Sequence, residues 1–255
     1  MNRINHLFQQ KGKDILNIYY TAGFPQLNDT LTILENLQQS GADMVEIGIP
    51  FSDSLADGPV IQESNQQALK NGMSLHLLFH QLKDFRNVIH IPVILMGSLN
   101  PVLQFGMENF LIACKNTGVD GVILPDLPVS EYENNYRQIF ESAGVHCIFL
   151  ITPETSEERL QKIDDLSTGF IYAVSSSSTT GKEKDIQKQS AYFQRLGNEK
   201  LKNPVLVGFG IKDKNTFEAA CQYTNGAVIG TAFIKALQAA GDIENNIHQF
   251  VNGII

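Results

Sequence analysis

The chain is poor in cysteine, in basic residues and in long apolar runs, and each shortage removes a class of answers. Its only cysteines are Cys114, Cys147 and Cys221. They lie far apart, form no CxxC or zinc-type pair and leave an odd one over. That spacing predicts buried thiols in a reducing compartment, not a disulfide frame or a metal knuckle. Lys and Arg number 19 against 27 Asp and Glu, a formal net charge of −8. No local run of bases offsets it, which argues against a nucleic-acid surface. No segment reaches the ~18 uninterrupted apolar residues of a membrane span. The opening Met1-Asn2-Arg3-Ile4-Asn5-His6 leads into neither the apolar stretch nor the small-residue cleavage site of a signal peptide. The expectation is a cytoplasmic protein without nucleic-acid or membrane partners.

What the chain does have is rhythm. Short apolar, β-branched runs recur at Ile15–Tyr20, Met44–Ile47, Val93–Met96, Gly121–Leu124, Cys147–Ile151, Phe170–Val174, Val205–Phe209 and Ala227–Ile229. Stretches of helical periodicity separate them, such as Leu160, Ile163 and Leu166 behind a capping-box pattern from Thr155 to Glu158. Continuous apolar strands alternating with helices imply a parallel sheet covered by helices, and eight such units suffice to close a (β/α)8 barrel. Two segments are extra to that plan, an N-terminal helix around Ile4–Gln10 and a second helix, Ser74–Phe85, after Val60–Asn71. No linker divides the chain, so residues 1–255 are expected to form one domain. A chain of this length buries roughly 70–75% of its unfolded surface and needs no disulfide or structural metal to hold a core. A doubly wound open sheet would want the dinucleotide fingerprint after its first strand, where Thr21-Ala22-Gly23-Phe24-Pro25 cannot form the three-glycine turn.

A barrel of this class carries its active site at the C-terminal ends of the strands. In Met44-Val45-Glu46-Ile47-Gly48, strand alternation puts Glu46 inside the barrel if Val45 and Ile47 face the helices. Burial raises a carboxylate toward the range useful for proton transfer, so Glu46 is a candidate general acid/base or a satisfied structural acid. Asp53 and Asp57 follow on the next loop. Asp53 reads equally as a solvated charge, and Asp57 within Asp57-Gly58-Pro59 also reads as turn chemistry leading into a helix. Glycine loops at the last two strands, Gly208-Phe209-Gly210 and Gly230-Thr231, offer free N–H groups and a helix start to a phosphate, or only tight turns. The polar loop Ser175–Lys184 reads as a lid or a plain connector.

Other chemistries find no purchase. His76 and His80 have helical spacing without a third ligand, and are expected on the surface. No lysine lies inside any strand, and no Ser-His-Asp or Cys-His set presents itself.

Val45 to Pro59, with both acids in place, closely resembles the signature of tryptophan synthase α subunits. Tyr20–Pro25, Gly118–Gly121, Pro125–Pro128, Thr179–Gly181, Gly208–Ile211 and Gly226–Gly230 match further pieces in family order along the whole chain. The resemblance implies a lyase that splits indole-3-glycerol phosphate into indole and glyceraldehyde 3-phosphate, in tryptophan biosynthesis. It assigns Glu46 as acid/base and Asp57 as partner of the indole N–H. Tyr19, Ile123 and Tyr172 fall at substrate-lining positions, and Gly181, Gly210, Gly230 and Thr231 at the phosphate cradle. It further implies a β subunit as partner in an α-β-β-α complex, met through Asp53, with pyridoxal phosphate in that subunit and no cofactor in this chain. Thr180 is the expected latch of the lid, its hydroxyl reaching Asp57.

Three positions depart from the family pattern. Ser54 replaces a usual proline and is expected to loosen its loop, Ser98 stands where an aromatic wall is usual, and Ser176 where some members carry arginine. Two other readings fit parts of the pattern: a mainly allosteric subunit with a weak site, and another phosphate-binding barrel enzyme such as a sugar-phosphate isomerase.

Overall fold

The computed structural model describes residues 2–54, 57–174, 186–208 and 210–255, without the side chains of 186–191. The strands are β1 (Ile15–Thr21), β2 (Met44–Gly48), β3 (Val93–Met96), β4 (Gly121–Ile123), β5 (His146–Ile148), β6 (Leu150–Ile151), β7 (Ile171–Val174), β8 (Val205–Gly208) and β9 (Gly226–Ile229). Every pair is parallel. The order β5-β4-β3-β2-β1-β9-β8-β7-β6 curls into a nearly closed barrel with helices outside. The expected strand over Cys147–Ile151 is interrupted at Phe149. Its first half pairs with β4 and its second with β7, so nine segments make eight staves. Backbone bonds continue across that seam, from Tyr172 N–H to the Phe149 carbonyl at 3.0 Å and from Thr168 N–H to the Cys147 carbonyl at 3.2 Å.

Period-two alternation sorts the strand side chains into two apolar layers. Leu16, Ile18, Tyr20, Val45, Ile47, Leu95 and Val207 pack outward against the helices. Ile15, Tyr19, Met44, Ile94, Ile123, Ile148, Tyr172, Leu206 and Val228 fill the interior. Residues buried on both faces explain why the strands read as unbroken apolar runs.

The N-terminal helix spans Arg3–Gln10, with the Asn2 side chain accepting from Ile4 N–H at 2.9 Å. It stoppers the lower end of the barrel. Ile4 is fully buried among the interior residues, and the Phe8 ring lies 6.1 Å from that of Phe170. Buried Asp120 fastens this plug by accepting from Arg3 at 3.1 Å, from Val93 N–H at 2.9 Å and from Arg86. The expected helix Val60–Asn71 spans Pro59–Lys70, with proline in its first turn where the missing N–H costs nothing. The expected Ser74–Phe85 helix breaks into an α-helix, Leu75–Gln81, and a 3-10 segment, Leu82–Asn87. Ahead of Glu157–Leu166 the cap is Ser156, whose hydroxyl accepts from Arg159 N–H at 3.3 Å. Thr155, the expected cap, accepts from Thr152 N–H instead, which closes the preceding turn.

All three cysteines are free and buried, and His76 and His80 are exposed. Among the described residues no cluster of His, Cys, Asp and Glu suits a metal ion, and no helix is long and apolar enough to cross a membrane.

Candidate active site

The register of β1 against β2 builds the centre of the site. Tyr19 is paired with Glu46 and Asn17 with Met44, so Asn17, Tyr19 and Glu46 all stand on the inner face. Glu46 is fully buried. Asn17 Nδ2 donates to Glu46 Oε1 at 2.6 Å, while Oε2 has no hydrogen-bond partner among the described residues. Burial drives the Glu46 pKa up to about 8, against the opposing Asn17 hydrogen bond. The group therefore exchanges protons near neutrality. Tyr19 and Tyr172 stand in the same inner layer as neutral phenols, burial raising both well past their ordinary range.

Each tyrosine lies over a glycine of the adjacent strand. A Cβ on Gly48 would collide with the Tyr19 ring, and one on Gly208 with the Tyr172 ring. Gly208, a turn or phosphate candidate in the sequence, is an interior strand residue that makes room for Tyr172. Gly210 is different. Its φ of 79° lies in the left-handed region that glycine adopts without strain.

Above Glu46, Asp57 is half-buried at the barrel mouth. Its N–H closes a turn onto the Ser54 carbonyl at 3.1 Å, and the helix begins two residues on at Pro59, so the turn reading of this motif holds for its backbone. Its carboxylate has a separate job. Asn65, on the Pro59–Lys70 helix, donates to Asp57 Oδ2 at 3.2 Å and to Ser54 Oγ at 3.0 Å. Burial raises the Asp57 pKa, and hydrogen bonds from Ser54 and Asn65 hold it down. Ser54 is thus buried and bonded. The hydroxyl ties the loop at the point where loss of a proline ring suggested loosening.

Asp53, on the same loop, is exposed. Ile123 is fully buried on the inner face at the end of β4. On the opposite rim, exposed Gly210 follows β8, and half-buried Gly230 caps the helix Thr231–Leu237, with Thr231 exposed at its first turn. Pairing of Leu206 with Gly226 and Val207 with Ala227 sends these two loops out side by side. Ser98 begins the helix Leu99–Phe105 on the rim, and Ile49 is the apolar group beside it, packed so close that Gly97 has no room for a Cβ. Thr180, Gly181 and Ser176 lie outside the described residues, with the rest of the expected lid, as do Leu55, Ala56 and Phe209. Sequence reading missed Asn17 and Asn65. Alternation could have found Asn17, an amide between Ile15 and Tyr19 on the inward face of its strand.

A parallel barrel with a buried, half-bonded carboxylate in its interior, a second acid at its mouth and paired glycine loops on its rim has the architecture of an enzyme of the (β/α)8 class. A family model described as "Tryptophan synthase alpha chain" matches residues 6–252. The chain belongs to that family. It is 54% identical over 255 residues to the tryptophan synthase alpha chain of Flavobacterium psychrophilum, covering 100% of both. With that of Parabacteroides distasonis it shares 55% over 240 residues, 94% of this chain and 93% of the relative. Among solved structures, the tryptophan synthase alpha chain of Legionella pneumophila superposes with a TM-score of 0.88 at 33% identity, covering 100% of this chain and 96% of that one. A chain of the tryptophan synthase complex from Pyrococcus furiosus gives 0.85 at 37%, covering 95% and 98%.

Proposed function

We propose that this chain performs the family's reaction, cleavage of indole-3-glycerol phosphate to indole and glyceraldehyde 3-phosphate, with Glu46 and Asp57 as its working acids. The family is known for this activity, and the chain is a lyase of tryptophan biosynthesis. The observation that carries the residue assignment is Glu46: a fully buried carboxylate, titrating near 8, with one oxygen free to meet substrate.

The chemistry follows from the bond to be broken. The indole ring leaves as a neutral molecule only if C3 gains a proton, and Glu46 Oε2 delivers it. Positive charge then builds at the ring nitrogen, where the Asp57 carboxylate stabilises it, an interaction that grows toward the transition state. As the C–C bond breaks, its electrons return to the ring. The glycerol hydroxyl becomes an aldehyde and gives up its proton, which Glu46, now a carboxylate, takes back. The cycle is proton-neutral and runs on this chain's own residues, and we propose that it needs no cofactor of its own. Tyr19, Ile123 and Tyr172 enclose the indole. Gly210, Gly230 and Thr231, with Gly181, receive the phosphate through backbone N–H groups, and Thr180 latches the lid onto Asp57.

Members of this family work with a β subunit. Exposed Asp53, beside the catalytic acids, is the proposed contact in an α-β-β-α assembly, with pyridoxal phosphate confined to the partner. The whole chain acts as one cytoplasmic domain. The test is indole release from indole-3-glycerol phosphate. Glu46→Gln keeps the shape but transfers no proton, so turnover should drop ~10²–10⁴-fold with binding nearly intact. A rate within about threefold of wild type would remove Glu46 from the mechanism. Asp53→Ala should weaken the rate gain on adding β subunit more than the basal rate.

A further inference from the structure

The strand carrying Tyr19 also buries an amide that the reaction as described does not use. Asn17 is fully buried one inward step below the Tyr19–Glu46 pair. An amide shut away from water is unfavourable unless bonded, and only half of this one is bonded. Nδ2 donates to Glu46 Oε1 at 2.6 Å, while Oδ1 has no partner among the described residues.

That half-satisfied state fits a partner whose protonation alternates. An amide is donor at one end and acceptor at the other. Through Nδ2 it donates to Oε1 in both states, to a carboxylate oxygen when Glu46 is ionised and to the carbonyl oxygen of the acid when Oε2 carries the proton.

Resting on the assignment of Glu46 as the acid/base, we propose that Asn17 is the positioning residue that anchors Oε1 of Glu46 throughout the proton cycle, leaving Oε2 as the oxygen that meets substrate. The geometry makes this specific. Asn17, one inward step before Tyr19 on β1, holds Oε1 and leaves Oε2 unbonded. The other groups facing Glu46 are Tyr19 from β1, Tyr172 from β7, Asp57 from the loop after β2, and apolar Ile94, its partner in β3. Neither phenol ionises near neutrality. Because the Asn17 bond holds the Glu46 pKa down against burial, its loss must raise that pKa.

Asn17→Leu keeps the volume and removes the amide. Since cleavage begins with protonated Glu46, its kcat/KM falls on the alkaline side. In Asn17→Leu that limb should move up by about one pH unit, with kcat at pH 7 lowered about tenfold and KM little changed. Asn17→Asp should shift the limb the same way, and retain activity chiefly on the acid side, where its protonated form can still donate. The carboxyl stretch of Glu46, taken as the infrared difference between each protein and its Glu46→Gln counterpart, should move in both variants, and needs no turnover. A folded Asn17→Leu enzyme with an unmoved limb, an unmoved stretch and only a lower melting temperature overturns the proposal. Should Asn17→Leu not fold, Asn17→Asp and the stretch decide. If Glu46→Gln itself retains turnover, the underlying assignment fails; if Glu46→Gln is inactive and the Asn17 variants are silent, only the role of Asn17 fails.

Discussion

The phenol of Tyr19 occupies the space that a side chain at Gly48 would need. A Cβ there would stand 2.6 Å from Tyr19 Cζ and closer still to the hydroxyl. Gly48 follows Glu46 by two residues on the same inner face, so the acid, the ring and the missing side chain form one packing unit.

Gly48→Ala is therefore expected to push Tyr19 out of place, destabilise the fold by about 1–3 kcal/mol through overpacking, and lower kcat/KM. Adding Tyr19→Leu should recover most of the stability but not the activity. Denaturation midpoints of the single and double variants measure the first effect. Equal stability of wild type and Gly48→Ala would mean that the ring yields without cost.

Stability should fall as Glu46 ionises. Its pKa lies near 8 when folded and near 4.5 when unfolded, so the folded state holds the extra proton between those values. The stabilisation is full below about pH 4.5 and is lost as pH rises to 8 and beyond, a total on the order of 5 kcal/mol. Glu46→Gln, which cannot ionise, should gain on the wild type steadily over that range. Urea midpoints at pH 5, 7 and 9 that run parallel for the two proteins would contradict this.

Ser54→Ala removes a hydrogen bond that favours ionised Asp57, so it should raise the Asp57 pKa further. On the proposed role of ionised Asp57 beside the indole cation, the acid limb of kcat/KM should move to higher pH, with Ser54→Thr largely restoring it. The pH profile of indole release decides. An unmoved acid limb in Ser54→Ala would reduce Ser54 to a loop residue.

Asp120→Asn leaves the Arg86 guanidinium, mostly buried, without its counter-charge and loosens the plug held through Arg3. Breaking a buried pair from one side costs about 3–5 kcal/mol. The variant should unfold at markedly lower denaturant while its activity per folded molecule stays near that of the wild type. A loss under about 1 kcal/mol would show the plug to be held by apolar contact alone.

The eight staves were legible because strands buried on both faces must be apolar along their length, as Val93–Met96 and Val205–Gly208 are. Glu46 was legible because alternation fixes its face once Val45 and Ile47 are turned outward. The switch of partners at Phe149 was not, since nothing in Cys147–Ile151 distinguishes a strand that keeps its neighbours from one that exchanges them. Ser156 and Thr155 are adjacent hydroxyls that fit a capping pattern equally well, and only the backbone chooses. Gly208 misled for a different reason: glycine in sequence signals a turn, whereas this one answers to Tyr172 on the next strand. Asn65 is out of local reach, eight residues beyond Asp57 and brought back by the helix.

The partner switch at Phe149 divides the barrel by strength. On its two sides the ladders are short, three paired residues from Gly121 to Ile123 and two at Tyr172 and Ala173. The longest ladder, five residues from Asn17 to Thr21 against Met44 to Gly48, holds the acid and its amide. In the order of the sheet β1 is the middle strand, and the seam joins the two ends, so the change of partners lies across the interior from the longest ladder. Loosening at the seam is therefore expected to leave the Asn17–Glu46 hydrogen bond at its length.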